Sequence, residues 1–130
     1  MKKRRRAQSS DRETDFMTDL NIRDSRSTGR LEAYEDGRPV GVIAYFVLTG
    51  TPAALVAVHT VVEEGQEGKG IAGALVREFY AMARREGVPV VPLCPYAARW
   101  AQRHPDEAPA APAGAVEAAE RQLSADPQAW

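Results

Sequence analysis

The hydrophobic period of the chain changes at one glycine-rich segment, and this change constrains the fold more than any other feature. Before it, residues 30–62 form short extended runs, and after it residues 70–86 repeat apolar side chains at helical spacing. Between them lie a polar loop, residues 63–67, and the segment GKGIAG, residues 68–73. Strands, a glycine loop and a long helix in this order predict a mixed α/β (α+β) domain.

Three antiparallel strands are expected before the loop. The first begins at Arg30 and ends at the turn Asp36-Gly37, which favours a tight hairpin. The second, residues 39–49, is closed by residues 50–52 and is apolar on both faces, which predicts a central strand. We expect Val40, Val42, Ala44, Phe46 and Leu48 on one face and Ile43, Tyr45 and Val47 on the other. The third strand covers residues 53–62.

The segments after the loop predict a helix, a strand that leaves the sheet early, and a second helix. The first helix, residues 70–86, should end at Gly87 in a left-handed cap. Residues 88–94 are apolar, but Pro89 and Pro92 remove donors for strand pairing, so this strand should splay from its neighbour. Residues 95–104 have helical spacing, with Tyr96 and Trp100 on one side.

The two ends differ in composition from the middle of the 130-residue chain. Residues 1–27 are predicted to form a basic, disordered arm, in which the first 16 carry a net charge of +3. Residues 28–107 would form the domain, and residues 108–130 a Pro/Ala-rich tail with a weak helix. The arm has no aromatic residues interleaved with its charges, so nucleic-acid binding is not favoured.

Composition also bears on the location and the assembly of the protein. The longest apolar stretch, residues 40–48, is far shorter than the roughly 20 residues of a membrane helix, and no apolar run follows the basic start. A single cysteine, Cys94, excludes an internal disulfide and a cysteine-based metal cluster. We therefore expect a cytoplasmic protein without a metal or a membrane contact. The sequence leaves the oligomeric state open and favours a monomer.

The glycine segment has several interpretations. It could be only a tight turn between strand and helix. A nucleotide P-loop would need glycine at Glu63 and a hydroxyl residue at Gly70, so ATP and GTP are not favoured. The pattern G-x-G-x-x-G fits residues 68–73 and keeps NAD binding as a weaker alternative. However, the polar loop before it and the antiparallel strands do not match a dinucleotide-binding unit.

Four blocks taken together give a further interpretation. They are VHTVV (58–62), GKGIA (68–72), PLCPY (92–96) and RHP (103–105). In this order they resemble the GNAT superfamily of N-acetyltransferases, most closely its small, minimal-domain (CG-type) branch. Glu67 departs from the basic or amide residue that the superfamily places before its first glycine. The adjacent Gln66 could take that role.

The resemblance implies a mostly antiparallel sheet in which two parallel strands, residues 53–62 and 88–94, part at one end to admit acetyl-CoA. The pyrophosphate would bind the amides of the glycine loop, which the first turn of a helix favours. The implied cofactor-binding residues are Val61, Val62, Gln66, Glu67, Gly68, Lys69, Gly70, Ile71, Ala72 and Gly73.

Direct transfer of an acetyl group to an amine needs a base for the amine and an acid for the departing thiolate. Tyr96 is the candidate acid, although a tyrosine on the inner side of a helix can serve packing alone. Cys94 could protonate the thiolate or accept the acetyl group, or be an inert buried thiol. His59 is a candidate base, with a hydrogen-bonded core histidine as the alternative.

The acceptor side is expected to be open, because the turn at residues 35–38 leaves no room for helices that would wall it. An open groove suits a peptide or protein lysine better than a small amine. It also permits an alternative in which the domain binds CoA with little or no turnover.

Overall fold

The computed structural model describes residues 20–49 and 53–126. The strands are β1 (Leu20–Ser25), β2 (Arg30–Glu35), β3 (Arg38–Leu48), β4 (Ala54–Val62) and β5 (Val90–Pro92). The helices are α1 (Ile71–Glu86), α2 (Pro95–Arg103) and α3 (Ala113–Ala125). The expected closing turn at residues 50–52, most of the basic arm and the last four residues of the tail lie outside the described residues.

The five strands form one sheet in chain order. The pairs β1–β2, β2–β3 and β3–β4 are antiparallel, and β4–β5 is parallel. Helix α1 connects the parallel pair, which cannot be joined by a tight turn. The mixed, mostly antiparallel sheet with one parallel pair and a helix after the glycine loop is confirmed. Strand β3 is central, as its two apolar faces predict.

Strand β1 corrects the predicted start of the fold. It lies within residues 1–27, the range assigned to a disordered arm, and pairs with the whole of β2, so four antiparallel strands precede the loop rather than three. A polar network fixes it: the hydroxyl of the fully buried Tyr45 donates to the carboxylate of Asp24 and accepts from Arg26 Nε at 3.0 Å. The guanidinium of Arg26 also binds the carboxylate of Glu86, at the end of α1.

Helices pack on both faces of the sheet. Helices α1 and α2 pack on one face through a core that includes Leu31, Ile43, Leu55, Leu75, Phe79 and Trp100. Helix α3 packs on the other face, where Ala115 and Ala119 contact a cluster that includes Phe46, Val56, Val58 and Val91. The weak helix predicted in residues 108–130 is therefore present, but its alanine face is part of the packed structure rather than of a loose tail.

Two bulges alter the predicted faces of the strands. Ala33 pairs with Gly41 and Tyr34 with Pro39, which leaves Val40 as an extra residue in β3. Val40 therefore packs in the α1-side core with Ile43 and Tyr45, and the prediction that it shares a face with Val42 is wrong. The other bulge lies in β4 and shapes the candidate site.

The helix ends follow the predicted signals. Helix α1 ends at Gly87, which has φ 75° and donates its N–H to the carbonyl of Arg84. Helix α2 ends at His104, whose ring stacks on Trp100 with the centroids 4.1 Å apart. Among the described residues, no helix has the length and apolarity needed to cross a membrane.

Candidate functional site

Strand β4 has two unlike halves because β5 leaves it part of the way along. Pairing between them ends at Ala57 and Pro92, and the N–H groups of Leu93 and Cys94 both donate to the carbonyl of Ala57 at 3.0 Å. Pro92 has no N–H to continue the ladder. In the paired half of β4, residues 54–57, residues 55–57 thus pair with both β3 and β5. Within the described part of the chain, the free half, residues 58–62, pairs with β3 alone.

The free half presents different groups in three directions. Ala44 pairs with His59 and Tyr45 with Ala57, so Val58 forms a bulge at the fork. The N–H of Glu63 donates to the carbonyl of Val40 at 2.9 Å, so by antiparallel alternation the peptide groups of Thr60 and Val62 point into the gap left by β5. The side chains of Thr60 and Val62 face α1, and those of His59 and Val61 face the opposite side.

The loop between β4 and α1 is built from glycines in the left-handed conformation. The φ angles are 87° at Gly65, 85° at Gly68 and 80° at Gly70, and Gly70 is the N-cap of α1. The amides of residues 67–73 donate to no other described residue, and no acidic side chain lies in the first turn of α1. Unpaired amides at the positive end of a helix dipole form an anion-binding site.

Charged side chains of this loop are held by the loop itself or by its neighbours. Glu67 Oε1 accepts from the N–H of Gly65 at 3.0 Å, and Lys69 Nζ donates to Gln66 Oε1 at 3.0 Å. Lys69 Nζ also lies 3.8 Å from Glu35 Oε1. An anion in this loop would therefore be bound mainly by backbone amides, with the Glu67 carboxylate held by a hydrogen bond of its own.

A groove of about 330 Å³ brings the loop, the free half of β4 and α2 together. It is lined by Val62, Gln66, Glu67, Gly68, Gly70, Ile71, Ala72, Gly73 and Tyr96. Most residues predicted to bind the cofactor therefore meet in one place. Val61 is not among them because it faces the other side of the sheet. The ammonium of Lys69 is engaged with Gln66 and Glu35.

Two glycines allow the close packing that shapes this groove. A Cβ atom on Gly41 would lie 2.9 Å from Ile71 Cγ2 and 3.1 Å from Leu75 Cδ1, so α1 begins directly against β3. A Cβ atom on Gly73 would lie 3.6 Å from Tyr96 Oη. The Tyr96 hydroxyl thus sits beside the first turn of α1, and it forms no hydrogen bond with another residue of ranges 20–49 and 53–126.

Cys94 is buried at the end of β5 and bridges the fork. Its Sγ donates to Thr60 Oγ1 at 3.2 Å, which ties the start of α2 to the free half of β4. This partner is a neutral hydroxyl, whereas an activated thiolate needs a base or a nearby cation. Sequence reasoning missed Thr60. The one sequence signal for Thr60 is its position on the face of β4 that points toward α1.

His59 is exposed and lies on the face of β4 opposite Cys94 and Tyr96. The alternative of a core histidine is therefore wrong. His59 instead lines a second, smaller groove, together with Arg30, Val42, Ala44 and Val61. The three predicted catalytic residues are thus divided between the two sides of the fork. Among the described residues, no group of three or more His, Cys, Asp or Glu side chains could hold a metal ion.

The dinucleotide alternative does not agree with this arrangement. The glycine loop follows an antiparallel strand, and the sheet contains a single parallel pair in its described part. A doubly wound dinucleotide-binding sheet is mostly parallel, with the ligand at a switch in strand order. The fold therefore argues against NAD.

Comparisons with known proteins agree with the fold. A family model described as GCN5-related N-acetyl-transferase matches residues 30–110, more than half of the chain. No curated protein matches significantly. Among solved structures, a ribosomal-protein-alanine N-acetyltransferase from Brucella melitensis biovar Abortus 2308 is 26% identical with a TM-score of 0.52, over 64% of this chain and 62% of that one.

Two further solved structures are less similar. An aminoglycoside acetyltransferase from an uncultured soil metagenomic sample is 25% identical with a TM-score of 0.44, over 48% of this chain and 43% of that one. An integron cassette protein from the mobile metagenome of V. cholerae is 17% identical with a TM-score of 0.47, over 58% of this chain and 52% of that one. The chain thus spans less than two thirds of the length of each of the three structures.

Proposed function

The chain belongs to the GCN5-related N-acetyltransferase family, and on that basis we propose that it binds acetyl-CoA and transfers the acetyl group to an amine. One observation carries this proposal. The glycine loop with its unpaired amides and Val62 of the free half line one groove, and the peptide group of Thr60 points into the adjoining gap at the fork of β4 and β5.

The groups present fit acetyl-CoA in chemical type. A pyrophosphate needs several N–H donors, which the left-handed glycines and the first turn of α1 supply. The amide groups of the pantetheine arm need strand-like partners, which the free half of β4 offers. The side chains of Val62 and Ile71 give the groove an apolar wall. Bound acetyl-CoA would supply an activated acetyl thioester.

Tyr96 is the residue that we propose as the proton donor for the departing thiolate. Its hydroxyl lines the groove beside the first turn of α1 and is not committed to another described residue. The Cys94 thiol is adjacent but already donates to Thr60, which supports a role in holding the fork rather than in covalent transfer. His59 would act on an amine that arrives from the opposite face.

Membership of the family does not specify which amine accepts the acetyl group. The hairpin turn between β2 and β3 is short, and the groove beside His59 is open at the surface. The sequence predicts a peptide or protein lysine from this openness, whereas the volume of the groove, about 180 Å³, favours a smaller acceptor. The alternative is a CoA-binding module without turnover. It would bind acetyl-CoA as an enzyme does but would form no acetylated product.

The test of cofactor binding is a calorimetric titration of acetyl-CoA into the wild type and two Gly70 variants. Gly70→Asp places a carboxylate against the pyrophosphate and should weaken binding on the order of 100-fold. Gly70→Asn has the same shape without the charge, and asparagine tolerates the left-handed conformation, so its loss should be under about tenfold. Equal affinities of wild type and Gly70→Asp would reject the loop as the pyrophosphate site.

A further inference from the structure

Within residues 20–49 and 53–126, helix α3 covers only part of the sheet face opposite α1, and the rest of that face forms the second groove. Helix α3 packs over Phe46, Val56 and Val58, whereas Val61 remains 53% exposed. The groove there has a volume of about 180 Å³, and Val42, Ala44 and Val61 provide its apolar surface. This is enough space for a group about the size of one amino acid.

The strand register defines the walls of this groove. Arg30 pairs with Ala44, and Ala44 pairs with His59, so the three residues form one row across β2, β3 and β4. Residues directly opposite each other share a face of the sheet, and adjacent strands are about 4.8 Å apart. The Cα atoms of Arg30 and His59 are therefore about 10 Å apart, with the small side chain of Ala44 between them.

No described carboxylate compensates the charge of Arg30. Its guanidinium makes no ion pair or hydrogen bond with another described residue, unlike Arg26 and Arg77, which bind carboxylates. Glu32 lies on the same face, two positions along β2, and its carboxylate accepts from the Tyr34 hydroxyl at 3.0 Å. An arginine without a partner beside an apolar surface is suited to bind a carboxylate through two parallel hydrogen bonds.

We propose that this groove binds the acceptor, and that the acceptor is an amino-acid-sized amine that carries a carboxylate. Arg30 holds the carboxylate, and the amine lies toward His59 and the free half of β4. His59 directly follows the bulge at Val58, where β5 departs, so this placement brings the amine to the fork from the face opposite the glycine-loop groove. The inference rests on the proposed acetyltransferase function and adds its acceptor class.

The experiment compares acetyl transfer to L-lysine with transfer to L-lysinamide, which has the same amines but no carboxylate. Release of CoA is followed with acetyl-CoA as donor, for the wild type, Arg30→Gln and the control Arg121→Gln. Arg121 is an exposed arginine of α3 without an ion pair in the described part of the chain. The wild type and Arg121→Gln should prefer lysine by about tenfold in kcat/KM.

Arg30→Gln should remove this preference by lowering the rate with lysine, whereas the affinity for acetyl-CoA, which binds in the other groove, should stay unchanged. A wild type without preference, or an Arg30→Gln variant that retains it, would overturn the inference. A second pair of substrates, blocked lysine peptides with Glu or Gln beside the lysine, tests the other source of a carboxylate. An Arg30-dependent preference seen only in the peptides would replace the amino-acid-sized acceptor with an acidic peptide.

A binding measurement separates this inference from the proposed function. N6-acetyl-L-lysine and its amide, the products of the two reactions, are titrated into each variant without acetyl-CoA. Tighter binding of the acid, lost in Arg30→Gln alone, supports the carboxylate site whatever the turnover. Equal binding of the two products to the wild type contradicts it. Failure of acetyl-CoA itself to bind would reject the proposed function, and the acceptor assignment with it.

Discussion

The two halves of β4 both contain valine but have very different surroundings. In the paired half, residues 54–57, the exposure of each side chain is 0–1%, and strands bond on both sides. In the free half, residues 58–62, no described strand pairs with the edge on the β5 side, and Val61 is 53% exposed. Valine occurs in both halves, so side-chain type alone does not explain the difference in burial. The difference arises because β5 departs at Pro92 and because Val58 forms a bulge.

This difference separates stability from function along one strand. The paired half has its backbone and side chains satisfied within the fold, so it can stabilise the domain but offers no group to a ligand. The free half contributes less to the core and leaves the peptide groups of Thr60 and Val62 toward the gap. We therefore expect substitutions in the two halves to affect different measurements.

The largest expected effect comes from one substitution made in both halves. Val56→Ala removes two methyl groups from a fully buried position and should lower the free energy of unfolding by about 2 to 3 kcal/mol. Val61→Ala, at an exposed position, should change it by less than about 0.5 kcal/mol. Urea denaturation measures both. Equal losses would mean that the two halves contribute alike and that the comparison is wrong.

A glycine in β3 tests how the free half is connected to the loop. Gly41 pairs with Val62, and Gly41→Ala would force its Cβ against Ile71 at the start of α1. We expect a loss of about 1 to 2 kcal/mol in stability and a weakening of acetyl-CoA binding on the order of tenfold.

The control for this variant is Gly114→Ala in α3, where an added Cβ meets no atom within 4 Å. It should leave acetyl-CoA binding unchanged and stability equal or slightly higher, since alanine favours a helix. If Gly41→Ala weakens binding no more than Gly114→Ala does, then the position of α1 against β3 does not shape the groove.

Removal of the contact across the fork should have a smaller effect. Cys94→Ala removes the hydrogen bond to Thr60 and should cost about 1 kcal/mol of stability, whereas Cys94→Ser keeps a donor at this position. Turnover of both variants should stay within about threefold of the wild type, because we assign the proton to Tyr96. Tyr96→Phe is the comparison: a general acid raises the rate roughly 100-fold or more, so this variant should lose turnover by about that factor. If Cys94→Ala rather than Tyr96→Phe lost turnover by this factor, the proton donor would be the Cys94 thiol.

The smallest expected effect is a pH dependence of the free energy of unfolding, which arises from the buried tyrosines on the α1 side. Burial raises the pKa of Tyr80 to about 12, and burial with the hydrogen bond to Asp24 raises the pKa of Tyr45 to about 12. The ordinary value in an unfolded chain is about 10. The folded state therefore favours the neutral phenols, and stability is full below pH 10 and falls as the pH rises toward 12.

Urea denaturation at pH 9, 10 and 11 checks this dependence. The decline should be shallower in Tyr80→Phe than in the wild type, because one of the two phenols is absent. Stability that stays constant up to pH 11, or the same slope in both proteins, would contradict the assignment of the decline to these side chains.

Local signals in the sequence predicted much of the fold. The Asp36-Gly37 turn is present, with φ angles of 53° and 80°, because these residue types tolerate the left-handed conformation that a tight hairpin needs. The glycine loop, the helical period of α1 and the two prolines around β5 likewise act on their own backbone. Apart from Lys69, the predicted loop residues consequently lie in one groove.

Features that depend on distant partners were not predictable in the same way. β1 has the sequence LNIRDS, which by itself is too polar to indicate a strand. The strand is stabilised by its pairing with β2 and by the hydrogen bond between Asp24 and Tyr45. The buried face of α3 consists of Ala115 and Ala119, which give almost no hydrophobic period. Bulges at Val40 and Val58 reverse the alternation of faces, and the contact between Cys94 and Thr60 joins residues far apart in sequence.

The most direct test of the central claim is an amide-resolved NMR titration of the protein with acetyl-CoA. We expect the largest shift changes at the amides of residues 67–73 and of Thr60 and Val62, and little change at the amides of the paired half, residues 54–57. Binding with the largest changes elsewhere, or no changes at saturating acetyl-CoA, would contradict the assignment of the free half and the glycine loop as the acetyl-CoA site.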